Sequence, residues 1–224
     1  MQRLRGSSIG GVSLFGGLGA LALLAVSFVV NGSVPGNNST GVEAAAWFDN
    51  HTARHVLSAW AGGVSALALF GFFFAVRARV EDHGEHNLVR ASSGLSLVVV
   101  ILLMLGNVPI MAGSMTANDR DLPLQPAAAE VFLHLGIGFY LMMVIALSGY
   151  LVVTGMAMIR AAALPNWLGY ISLVGAAVAI LPYLGFLGFV LVLPLWIVAT
   201  TVWLLRSRPT DDARSGRPAA ATTA

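Results

Sequence analysis

The stretch LSLVVVILLMLGNVPIM, residues 95–111, carries no charged side chain over its whole length. A helix rises about 1.5 Å per residue, so roughly 20 apolar residues cross the 30 Å or so of bilayer hydrocarbon. Five further windows read the same way: 14–30, 56–76, 131–159, 167–183 and 186–205. The last two are short and nearly continuous, with Pro182 and Gly185 supplying a tight turn. Of 224 residues, 57% are hydrophobic and 10% charged, which is too few charges to cover a water-facing surface. Lipid as the surrounding solvent resolves that shortage.

Charge placement sets the expected topology. All 12 basic residues are arginine. In a six-span arrangement Arg3, Arg5, Arg77, Arg79, Arg90, Arg160, Arg206, Arg208, Arg214 and Arg217 share one side, and only Arg54 and Arg120 fall on the other. Cytoplasmic loops accumulate arginine, so both termini are expected inside. The sequence therefore predicts an all-α integral membrane bundle of six transmembrane helices in a bacterial plasma (inner) membrane, N-in and C-in. Trp47, Trp167, Tyr170, Tyr183 and Trp203 fall at expected interfaces, where amphipathic rings settle. Trp196 falls mid-span and is expected between helices. Arg3 and Arg5 before an apolar run resemble a signal peptide, but no small-x-small cleavage site precedes Asn31, and the window reads as a retained helix. The connections expected on the outer side are 31–46, ending in a helical approach from Glu43 to His55, and 112–129. Arg77–Arg90 is the inner linker, and the polar tail 206–224 is expected to be disordered.

Chemistry-bearing residues are sparse. The chain has no cysteine, which excludes disulfides and thiolate metal sites. His51 and His55 are spaced i, i+4, and so are Glu130 and His134, at similar depth in the second and fourth spans. If those helices are neighbours, three imidazoles and a carboxylate can converge on Zn²⁺ or another divalent metal, with Asp49 beside them. The competing reading is interfacial histidines bonded to loops or water, with Glu130 favouring a helix N-terminus. His134, one turn inside its span, is expected to face the bundle interior as a packing residue, a proton relay or a haem ligand. Glu81-Asp-His-Gly-Glu-His86 reads as a solvated turn or a weak metal site. Pro109 and Pro194 are expected to kink their helices. Gly16-Gly17, Gly62-Gly63 and Gly136-Ile-Gly138 are expected to permit close helix contact.

Leu164-Pro-Asn-Trp-Leu-Gly-Tyr170, Leu193-Pro-Leu-Trp196 and Leu204-Leu-Arg206 form one familiar pattern, and Trp47-Phe-Asp-Asn-His51 through Leu57-Ser-Ala-Trp60 to Arg77-Ala-Arg79 another. Together, from Trp47 onward, they resemble a family of small actinobacterial multi-spanning membrane proteins of unknown function. The resemblance implies a six-helix plasma-membrane protein and carries no activity with it.

No phosphate-binding Gly-x-x-x-x-Gly-Lys run, no nucleophile elbow and no mid-span charge is present. A net charge of +2 gives no footprint for nucleic acid. The function expected is non-enzymatic binding, sensing or accessory work in the lipid bilayer, with a membrane-protein partner or a second copy of the chain. The alternatives are a metal-dependent membrane enzyme built on His51, His55, Glu130 and His134, or a small permease subunit.

Overall fold

The computed structural model describes residues 7–36, 38–119, 123–162, 164–181 and 188–206; of 7–14 and 188 it describes the backbone alone. The described residues are helical, with no strand among them. The elements are α1 (Ser7–Asn31), α2 (Gly41–Asn50), α3 (Thr52–Glu81), α4 (His86–Ala117), α5 (Pro126–Ala161), α6 (Asn166–Ile180) and α7 (Leu193–Arg206), the last entered through a π-helical turn, Gly188–Val192. Four segments are long and apolar enough to cross a membrane: α3, α4, α5 and Phe189–Arg206. Leu67, Phe74, Leu97, Leu141 and Leu195 all lie exposed on them, a surface that water would reject and lipid accepts. The chain is a helical membrane protein on those grounds.

The long helices overrun their apolar windows. Hydropathy sees only the lipid-facing length, whereas i to i−4 hydrogen bonding continues through the polar turns beyond it. The Arg77–Arg90 linker therefore shrinks to residues 82–85, turned by Gly84 at φ +100. Between α4 and α5 the described residues 118, 119 and 123–125 are non-helical, and 120–122 lie outside the description. The expected turn at Pro182 and Gly185, and the tail from 207 onward, also lie outside the described residues.

The approach to the second span differs from expectation. Residues 43–55 are not one helix: His51, at φ −141 and ψ 34, breaks α2 from α3. The short α2 is fixed at its start by a reciprocal box. Thr40 Oγ1 accepts from the Glu43 amide at 3.3 Å, and Glu43 Oε2 accepts from the Thr40 amide at 2.8 Å. Its buried Ala44 and Phe48 pack on Ala129 and Leu133 of α5, so α2 lies across the end of the bundle that holds Arg54.

Neighbours in sequence are neighbours in space, and α7 returns to α1, so α1 and α3–α7 form a closed circuit. The α1–α3 pair shows the antiparallel register. Ser27 Oγ donates to Ser58 O at 2.8 Å, and seven residues along each helix Ser65 Oγ donates to Ala20 O at 2.8 Å. Toward the arginine-rich end the circuit is filled by buried Phe72, Phe73, Tyr150 and Trp196. Phe73 and Tyr150 have ring centroids 4.3 Å apart, and Trp196 meets Phe72 edge-on at 5.8 Å. Trp196 Nε1 donates to Ser172 Oγ at 2.7 Å, so Trp196 packs between helices as expected. Helix α4 continues unbroken through Pro109, and Pro194 sits where the π-turn becomes α7.

Candidate functional site

The four candidate metal residues are not gathered as a set, although the His51 and His55 rings stand 6.2 Å apart, centroid to centroid. His55 is fully buried at the first turn of α3, while His51, Glu130 and His134 are exposed. Among the described residues no group of three or more His, Asp or Glu side chains is placed to hold a metal ion. The reason is rotation about the α5 axis. Ala129, Leu133 and Gly136, three to four residues apart, form the buried face of α5. Glu130 and His134 each follow that face by one residue, about 100° around the helix. His134 therefore faces outward rather than into the bundle interior. Equal depth, which the spacing gives, does not fix that angle. In the Glu81–His86 stretch, the His83 ring bonds locally, with Nδ1 2.9 Å from Arg79 O.

His55 is held from three sides. Nδ1 lies 2.9 Å from the buried Ser114 Oγ of α4. The ring stacks at 4.0 Å, centroid to centroid, on Trp47 of α2, and Phe48 meets it edge-on at 6.3 Å. Nε2 is buried and has no hydrogen-bond partner. Trp47 reaches the other way as well, its Nε1 donating to Ser33 O at 2.9 Å. One indole thus ties His55 to the segment that follows α1.

That segment forms the lip of a cavity of about 440 Å³ in the arginine-poor half. Its walls are Ile110 of α4, Leu133, Ile137, Met143 and Val144 of α5, and Phe189 ahead of α7. Helices α1 and α5 both line it but are not a closely packed pair. Small residues line it at Ser27, Ser58 and Gly136, the last of which lets α5 approach Gly106 of α4. The two serines satisfy each other, since Ser58 Oγ also donates to Ser27 O at 2.8 Å. Tyr140, on the α5 wall, donates its hydroxyl to Asn107 Oδ1 at 3.0 Å, and Asn107 Nδ2 donates to Leu103 O at 2.7 Å. No charged residue lines the cavity. One polar atom of a lining residue is left over: Asn31 Oδ1, buried and without a partner. Chemically the cavity suits an uncharged, mainly apolar molecule, and a turn of the Asn31 side chain would offer that oxygen to a hydrogen-bond donor on it.

Sequence reading missed this site because a void has no periodicity. Its trace there was Gly136, read as packing. Compared with family models, curated proteins and solved structures, the chain matches none.

Proposed function

We propose that this protein is a non-enzymatic, six-span protein of a bacterial plasma membrane, with both termini cytoplasmic. It binds an uncharged apolar molecule in the cavity between α1 and α5. The observation that carries the reading is the charge-free cavity, with Asn31 among its lining residues and the oxygen of that side chain buried and unpartnered. A buried polar atom without a partner costs free energy that a donor on a ligand recovers. The aromatic half beyond it, where buried Phe72, Tyr150 and Trp196 meet ring against ring, supports binding over passage through the bundle.

The test is displacement of a neutral environment-sensitive dye from detergent-purified protein by dodecanol and by dodecane. Dodecanol is expected to compete better, and Asn31→Leu to remove that advantage while sparing dodecane. Ile137→Trp, which fills the cavity, is expected to weaken both at least tenfold. Equal binding of dye and alcohol by Ile137→Trp would sink the proposal. Topology is tested separately: Ser39→Cys is expected to label with an impermeant thiol reagent in intact cells, and Gly84→Cys only after lysis. The reverse result would overturn the ten-to-two arginine argument.

A further inference from the structure

A second recess lies on the lipid-facing wall between α3 and α4, near the arginine-rich end, and encloses about 260 Å³. On α3, Phe70, Phe74 and Arg77 succeed one another a turn apart and share a face. On α4, running the opposite way, Arg90, Ser93 and Leu97 do the same. Phe70, Phe74 and Leu97 are exposed as the rims, while buried Phe73 and Tyr150 form the floor. The serines of α4 keep the recess open. Ser92 and Ser93 donate to Val89 O at 2.9 and 2.7 Å, and Ser96 donates to Ser93 O at 2.8 Å. Their hydroxyl protons are thus committed to their own helix, and the groove needs no polar occupant along its length.

The end of the groove is different. The Arg77 guanidinium carbon stands 5.6 Å from the Phe74 ring centroid, at the last turn before the polar linker. Its Nε lies 3.3 Å from Glu81 Oε2 without hydrogen-bond geometry. A half-exposed pair of that kind, without a hydrogen bond, holds weakly and leaves the arginine open to a stronger anion. Arg90, exposed on the facing helix, adds a second positive charge at the same end. An apolar trough leading to two arginines at headgroup depth complements a molecule with an acyl chain and an anionic phosphate.

We infer that this groove binds one anionic phospholipid. An acyl chain lies along Phe70, Phe74 and Leu97, and the phosphodiester sits between Arg77 and Arg90. The site is independent of the central cavity and its ligand.

The experiment is native mass spectrometry of the full chain in detergent, titrated with dioleoylphosphatidylglycerol, dioleoylphosphatidylcholine or inorganic phosphate. One phosphatidylglycerol is expected to bind several-fold more tightly than phosphatidylcholine, about fivefold for each arginine engaged. Arg77→Gln should remove about fivefold from phosphatidylglycerol and leave phosphatidylcholine unchanged. Leu97→Trp, which fills the trough and keeps both charges, should weaken both lipids at least tenfold. If Arg77→Gln does not fold, Arg90→Gln replaces it with the same expectation. Equal affinity for the two lipids, full binding by Leu97→Trp, or protection by phosphate alone overturns the inference. So does a dimer that Leu97→Trp dissociates, which would give the groove to a second copy of the chain.

Discussion

The two halves of the bundle are built from the same helices and differ in what those helices put inside. Toward the arginine-rich end, Phe72, Phe73, Tyr150 and Trp196 meet ring against ring with no room between them. Toward the other end the same circuit carries Ser27, Ser58 and Gly136, and about 440 Å³ stays open. Lipid supplies no hydrophobic force to press helices together, so packing contacts and hydrogen bonds hold a membrane bundle. An unfilled space forfeits those contacts. A half that closes and a half that does not, within one set of helices, separates a packed region from an open one.

The largest expected effect tests the filled half. Trp196→Ala removes the ring that touches Phe72 and Tyr150 and the N–H that Ser172 Oγ accepts, while the Ser172 hydroxyl keeps its own bond to Leu168 O. It should lower unfolding free energy in detergent by about 3 kcal/mol, at the low end for tryptophan because no water-transfer term applies in lipid. Ile137→Ala, beside the open cavity, should cost only about 1 kcal/mol, because its side chain already lacks partners on one side. Equal losses at the two positions would erase the contrast between the halves.

A glycine pair sharpens it. A Cβ on Gly62 would lie 2.7 Å from Asn107 Oδ1, whereas one on Gly63 would meet nothing within 4 Å. Gly62→Ala should therefore disturb the Asn107–Tyr140 bond and cost about 1–3 kcal/mol in thermal unfolding. Gly63→Ala should gain up to about 1 kcal/mol from helix propensity. A loss at Gly63 as large as at Gly62 would mean that the exposed face of α3 is covered in the membrane.

At the capped end, Ser114→Ala leaves His55 Nδ1 buried without its partner and should cost about 1–3 kcal/mol. His134→Ala, on the exposed face of α5, should stay within about 0.5 kcal/mol and leave the metal content of the purified protein unaltered. Metal lost with His134→Ala would restore the His51, His55, Glu130 and His134 site.

The residues that announced themselves in the sequence did so through period and hydropathy. Windows 95–111 and 131–159 foretold α4 and α5, and Thr40-Gly-Val-Glu43 carries the box that starts α2. What stayed hidden was azimuth. Helix α5 is apolar nearly all round, so nothing in its composition says that Leu133 points inward and His134 outward. The break at His51 was hidden too, since no proline or glycine marks it, and only the tertiary contacts of Trp47 and Phe48 explain it. The paired glycines split the same way. Gly62 and Gly136 approach other helices, while Gly63 and Gly138 face open space.

The smallest expected effect lies at the arginine-rich end, where α5 stops. Ala162, two residues past Arg160, takes φ 47 and ψ 26, a left-handed conformation that closes the helix. An alanine there carries a Cβ too close to the following carbonyl, a strain that glycine escapes. The side chain is exposed, so replacing it removes no packing. Glycine also widens the unfolded ensemble, which takes back part of the gain. Ala162→Gly should accordingly raise the unfolding free energy by about 0.5–1 kcal/mol, read as a small upward shift in melting temperature with the span order and ligand binding unaltered. A decrease of the same size would mean that the turn holds a right-handed conformation in the membrane. The connection from α5 to α6 would then be built differently from the one described.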